Sequence, residues 1–344
     1  MKLNKKHPLY IEDIDNVLRV KDLGCMSGKT VLVTGATGLI GVHLIDVLMT
    51  LGNVQVYAVG RSKSKAASRL GEYFNNPLFH FIEQDVCQKF SDDVYADYVI
   101  PGASNTHPLA YSQYPIETIM INVKGAENAL DLACRCNATL LYMSSVEVYG
   151  EALTNESFAE DYTGRLNLST PRSCYTESKR VSEALCQSYI SEKGAKVKIV
   201  RLSRIFGPTM LDSDTKASSQ FIKKALDRED IILKSNGEQY FSYTYVSDAV
   251  AAMLYVMLHG ECGKAYNISN SACNVHLKDF AQMCSAYNGK NVIFEMPSES
   301  EKKGFSIATN AILDNTRLVS LGFKPLYGME DAVRRTIEIL RNKQ

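Results

Sequence analysis

The 344-residue chain lacks an excess of charge of either sign, its 38 Lys and Arg balancing 38 Asp and Glu. Without a net charge there is no long-range field to draw nucleic acid or an anionic membrane, so any anionic ligand must be held by local groups. Long apolar runs are missing too. No stretch reaches the roughly 18 residues of a membrane span, and the N-terminal MKLNKKHPLY has no apolar centre of the kind a secretory leader carries. Nor is there any paired C-x-x-C. The nine cysteines are scattered through apolar segments, as at Cys134, Cys136, Cys186 and Cys284, and an odd number does not make a full disulfide set. These absences argue against a zinc module, a disulfide scaffold, a nucleic-acid binder and a membrane protein. A soluble protein of the reducing cytoplasm is expected.

What the chain has is an apolar fraction of 45%, ample for a sizeable core. Its length implies one large unit with a smaller appendage, or two domains. The most informative stretch is TVLVTGATGLIG, residues 30–41. Four residues of strand preference run into glycines spaced G-x-x-G-x-x-G at Gly35, Gly38 and Gly41, and then into the helical pattern Leu39, Leu44, Ile45, Leu48. A dinucleotide needs such a strand–turn–helix, because its pyrophosphate must approach bare backbone N–H groups at a helix N-terminus. A side chain at Gly35 or Gly38 would hold the phosphates away, and one at Gly41 would push the helix off its strand.

The rest of the chain continues the alternation. Residues 1–27 carry a weak amphipathic pattern (Ile11, Ile14, Val17, Leu18) and form an N-terminal extension, with a short helix that packs on the core or on a partner subunit. Strands are read at 55–61, 78–86, 96–104, 138–145 and 196–203, and long helices at 114–135 and 173–193, with a polar loop over 151–172. Strands alternating with helices predict a parallel sheet covered on both faces. From about 208 the rhythm breaks into helices at 218–228, 247–259, 276–287 and 329–342 and strands at 239–245 and 291–296. The expected fold is α/β, a Rossmann-type doubly wound parallel sheet over 28–207, with a smaller and partly interleaved α/β substrate lobe over 208–344.

In PRSCYTESKR (171–180), Tyr175 and Lys179 stand four apart and share one face of a helix. An ammonium beside a phenol favours the phenolate and lowers the tyrosine pKa, which yields a base for neutral pH. The spacing alone is common on exposed amphipathic helices. It gains specificity from the glycine turn upstream and from Ser144 and Ser145, which end a strand where open α/β sheets bind ligands.

Together these residues resemble an extended short-chain dehydrogenase/reductase of the NAD-dependent epimerase/dehydratase family acting on nucleotide sugars. The likeness covers roughly residues 28–340: TGATGLIG, Asp85-Val86, PIETIMINVKGAENAL (115–130), SSVEVYG (144–150), PRSCYTESKR, IFGP (205–208), YVSDAV (245–250) and LDNTRLVSLGFKP (313–325). PRSCYTESKR and the following VSEALC are most similar to UDP-glucuronate decarboxylases, with dTDP-glucose 4,6-dehydratases next. The resemblance implies a triad of Ser145, Tyr175 and Lys179. Tyr175 takes the proton of the sugar 4-hydroxyl as hydride leaves C4, and the transient 4-ketone activates C5 or its carboxylate. It implies a cofactor site built from Gly35, Thr37, Gly38, Leu39, Ile40, Gly41, Arg61, Ser62, Asp85, Val86, Gly102, Ala103, Asn122 and Ser144 with Tyr175 and Lys179. A substrate site at Ser145 and Arg204 follows, with no metal. Glu147 matches the glutamate placed beside the sugar, an acid/base at C5. A homodimer through the helices at 114–135 and 173–193 is also implied.

Three positions depart from the pattern. Val146 stands where dehydratases carry an aspartate and decarboxylases a serine, and a valine cannot donate a proton. Arg204 replaces a frequent asparagine, and Phe241 replaces an arginine that contacts the substrate phosphates. At the end of the second strand, Gly60-Arg61-Ser62-Lys63 has no acid for a ribose 2′-hydroxyl, and its cations favour a 2′-phosphate, hence NADP over NAD. The reading is NAD(P)-dependent conversion of a nucleotide-diphosphate sugar through a 4-keto intermediate, with epimerisation or decarboxylation ahead of dehydration. Reduction of a keto sugar, or a non-catalytic dinucleotide-binding sensor or scaffold, are the alternatives. An intact Tyr175, Lys179 and Ser145 speak against the last.

Overall fold

The computed structural model describes residues 3–106, 108–152, 157–295 and 310–341. Residues 153–156 of the expected polar loop, residue 296 of the expected strand 291–296 and residue 342 of the expected terminal helix lie outside them. In chain order the helices and strands are α1 (Pro8–Leu18), β1 (Thr30–Thr34), α2 (Leu39–Leu51), β2 (Gln55–Gly60), α3 (Lys63–Leu70), β3 (Phe79–Glu83), β4 (Tyr98–Pro101), α4 (Pro108–Gln113), α5 (Pro115–Cys136), β5 (Thr139–Ser145), α6 (Ser173–Lys193) and β6 (Lys196–Leu202). They continue as β7 (Arg204–Phe206), α7 (Ala217–Asp227), β8 (Ile231–Leu233), β9 (Tyr240–Tyr245), α8 (Val246–His259), β10 (Ala265–Ile268), β11 (Asn274–His276), α9 (Leu277–Ala286), β12 (Val292–Phe294), β13 (Asn310–Ala311), α10 (Thr316–Ser320) and α11 (Met329–Leu340).

β1 is TVLVT and is buried along its whole length, as a strand covered by helices on both faces must be. It lies between β2 and β4, both parallel to it, with Val31 opposite Val56 on one side and Tyr98 on the other. The seven-stranded sheet runs β3-β2-β1-β4-β5-β6-β10. Chain order therefore reverses between β1 and β4, and the crevice beyond their carboxyl ends is where such sheets take ligands. The long helices end on residues suited to the left-handed cap, Asn137 after α5 (φ 53°) and Gly194 after α6 (φ 65°).

The structure adds what short elements conceal. β10, a four-residue strand not anticipated from the sequence, joins the edge of the large sheet beside β6 although it follows residue 208. α8 also packs against that sheet, touching β5 and β6 as well as α1 and α2. Its residues 246–257 are all buried, so it needs cover on every side. A second sheet of β11, β9, β13 and β7, with the β8–β12 pair, forms the other wall of the crevice. The expected third and fourth strands are shorter than read, 79–83 and 98–101, and the residues that follow them, Gln84 to Val86 and Gly102 to Ser104, line the crevice.

α1 packs on this chain's own core. Pro8 starts it and the His7 side chain accepts from Leu9 N–H as its N-cap. Its buried face of Tyr10, Asp13, Ile14 and Val17 lies against α2, α8 and α11.

Candidate active site

The crevice measures about 1050 Å³, at the upper edge of the roughly 300–1,000 Å³ of small-ligand pockets. The glycine turn lines it. Gly35 has φ +67°, and a Cβ there would come within 2.6 Å of the Gly102 carbonyl oxygen. A Cβ on Gly41 would come within 2.4 Å of the Gly35 oxygen. The turn is thus pressed between the end of β4 and the start of α2, with the Ala103 N–H donating to Thr34 Oγ1 at 3.0 Å. Gly38 caps α2, and Thr37, Leu39 and Ile40 line the crevice above it. At Gly35 and Gly41 the absent side chain is thus first a matter of packing within the protein.

Tyr175 and Lys179, both buried on α6, line the same crevice. The Ser145 side chain stands beside the phenol, whose ring stacks on Tyr111, centroids 4.8 Å apart. Burial pushes Tyr175 up to about 12; the neighbouring Ser145 hydroxyl works against this and the Glu147 charge adds to it. Burial draws Lys179 down to about 8, with Glu183 and Cys186 opposing. The expectation that Lys179 depresses the phenol needs correction. Its stem carries the amine past the ring to donate to the Met143 carbonyl at 2.8 Å, and the amine lies 6.0 Å from the phenol centroid. In this arrangement Ser145, not Lys179, favours the phenolate.

Other expected residues fall in varied places. Ser144 Oγ is buried beside the crevice without a hydrogen-bond partner among the described residues. Asp85 and Val86 line the crevice, with the Asp85 carboxylate accepting from Cys87 N–H at 2.8 Å. Asn122 lies behind the crevice wall rather than on it. Its carboxamide donates to Ser178 Oγ at 2.9 Å and accepts from Ser104 at 2.8 Å, tying α5 and α6 to the loop after β4. Ser62 caps α3 by accepting from Lys65 N–H, and Arg61 pairs with Glu117 at 2.8 Å. Glu147 and Arg204 face each other, 3.8 Å between charged atoms, and Arg204 lies over the Phe241 ring.

Sequence reasoning missed Tyr111 and Lys65. Tyr111 belongs to a one-and-a-half-turn helix with no periodicity to flag it. Lys65 lines the crevice, and its pKa is lowered by burial and then by the charges of Arg69 and Arg61.

The glycine cradle and the unpartnered Ser144 hydroxyl fit a dinucleotide, and the comparisons agree. A family model described as "NAD dependent epimerase/dehydratase family" matches residues 31–269. The chain belongs to that family. It is 30% identical over 328 residues to UDP-glucuronic acid decarboxylase 1 of Xenopus tropicalis, covering 94% of this chain and 75% of that one. To UDP-glucuronic acid decarboxylase 6 of Arabidopsis thaliana it is 35% identical over 244 residues, 71% of this chain and 70% of that one. Among solved structures, UDP-glucuronic acid 4-epimerase of Bacillus cereus, in complex with UDP-glucuronic acid and NAD, superposes with a TM-score of 0.76 at 20% identity. That match covers 90% of this chain and 98% of the other. At that identity it shows the fold alone. The family is NAD-dependent, and among the described residues no helix is long and apolar enough to cross a membrane.

Proposed function

We propose that this member of the family converts a nucleotide-diphosphate sugar, of the UDP-hexuronic acid class its relatives' names print, through a 4-keto intermediate. The observation that carries the reading is Tyr175, buried at the crevice beside Ser145, in the same crevice as the glycine turn. Bound nicotinamide dinucleotide supplies a hydride acceptor that can return the hydride. Tyr175 takes the proton of the sugar 4-hydroxyl, Ser145 orients the phenol and the sugar oxygen, and Lys179 places a cation behind the ring. Proton transfer by such a placed side chain contributes about 10²–10⁴-fold. Glu147 acts as acid or base at C5. Buried, apolar Val146 offers no acid for a leaving hydroxyl, so epimerisation or decarboxylation is favoured over dehydration.

NADP is favoured over NAD, supported by Arg61 and Lys65 on the crevice with Arg69 beside them. The homodimer reading is supported by Ile116, Met120 and Val181, exposed on α5 and α6, the helices expected to pair. Free thiols at all nine cysteines support the cytoplasm.

The test is incubation with UDP-glucuronic acid, UDP-glucose and dTDP-glucose, with either cofactor, while product mass and 340 nm absorbance are followed. Loss of carbon dioxide, or an isomer of unchanged mass, supports the reading. No product from any sugar, or full activity in Tyr175→Phe, sinks it.

A further inference from the structure

Arg204 and Phe241 depart from the family pattern separately in sequence, yet in the structure they form one unit. β7 and β9 run parallel with Arg204 opposite Tyr243, which brings Phe241 beneath the arginine. The guanidinium carbon lies 3.6 Å from the ring centroid, a cation–π stack. One edge of the guanidinium faces Glu147, with Nη2 3.8 Å from Oε1. Nη1 is buried and has no hydrogen-bond partner among the described residues. Arg204, Phe241 and Glu147 all line the crevice.

A guanidinium cannot shed its charge, and a desolvated donor without an acceptor is costly. The ring holds the plane and Glu147 stands at one edge, and the side chain keeps 21% of its surface open for an acceptor that arrives in the crevice with the ligand. We infer that Arg204 and Phe241 form a composite oxyanion subsite, in which the ring orients the guanidinium and its open part receives an oxyanion of the substrate. The inference rests on the nucleotide-sugar reading. Two groups of such a substrate share the required chemistry, the diphosphate and the C6 carboxylate of a uronic sugar.

Calorimetric titration of the cofactor-loaded protein with UDP, UDP-glucose and UDP-glucuronic acid separates them. Arg204→Gln is expected to weaken binding about ten- to a hundredfold, the size of a lost charge-assisted hydrogen bond. If the diphosphate is the partner, all three ligands fall alike; if the carboxylate is, UDP-glucuronic acid alone falls. Phe241→Leu, which keeps the core apolar, is expected to lose less on the same ligands and nothing further in the Arg204→Gln background. Should Arg204→Gln not fold, Arg204→Lys, which keeps the charge without the plane, is expected to show the same ligand pattern at smaller size. Binding of all three ligands within twofold of wild type in Arg204→Gln overturns the inference. So does a Phe241→Leu loss that persists undiminished when Arg204 is gone. Wild-type protein that holds cofactor but binds none of the three overturns the nucleotide-sugar reading and this inference together. Normal turnover by wild type and Arg204→Gln alike overturns this inference alone.

Discussion

Lys179 shows how burial shapes the chemistry of single side chains. Its amine is desolvated and leans on one backbone carbonyl, so the folded pKa of about 8 lies below the roughly 10.4 of an unfolded lysine. Between those values the unfolded chain binds more protons than the folded one. The Lys179 contribution to stability therefore rises with pH from about 8 to 10.4, and below 8 the buried charge is a net cost. Lys179→Met should raise Tm by a few degrees at pH 7 and remove that alkaline rise, while abolishing turnover. A lower Tm would mean that the hydrogen bond to Met143 outweighs the burial of charge. Gly35 makes the opposite case. Alanine there meets both a left-handed φ and the Gly102 carbonyl, so Gly35→Ala should cost more than about 1–2 kcal/mol in denaturant unfolding and eliminate cofactor binding by fluorescence titration. Wild-type stability in that variant would show that the turn relaxes away from β4.

Among the elements, α1 docks through charged groups. Asp13 accepts from Arg335 Nη1 at 2.9 Å and from the Tyr245 hydroxyl, and Tyr10 donates to Asp46 at 2.5 Å. Nearby Asp248 accepts two backbone N–H groups, from Leu326 at 2.9 Å and Tyr327 at 3.1 Å. Burial nonetheless pushes Asp13 and Asp248 each up to about 6. A carboxyl whose folded pKa exceeds its unfolded value of about 3.9 binds more protons when folded between the two. The contribution of these groups is full below about pH 4 and falls as pH rises to about 6. Asp248→Asn, neutral throughout, should flatten that part of the stability profile between pH 4 and 6, by up to about 3 kcal/mol. A slope unchanged from wild type would assign it to other carboxylates.

For the whole molecule, the exposed apolar side chains on α5 and α6 set the expected assembly. Ile116 is 77% exposed on α5, and a lone chain gains nothing by leaving it in water. Sedimentation should give twice the 38.2 kDa chain mass, and Ile116→Glu should give the chain mass. A wild-type monomer would contradict the dimer.

Several features could be read from the sequence because the code for them is local. The burial of β1, the strand–turn–helix at Gly35, Gly38 and Gly41, and α6 with Tyr175 and Lys179 on one face all follow from periodicity and glycine spacing. Short strands such as β7, β10 and β13 carry too few residues for a period to show, and pairing alone makes them strands. Only the tertiary structure decided that Lys179 reaches Met143 rather than the phenol, that Tyr111 covers Tyr175, and that Arg204 rests on Phe241. Each of these joins residues from different elements. Such contacts are set by how the sheets and helices pack, a property no single stretch of chain contains.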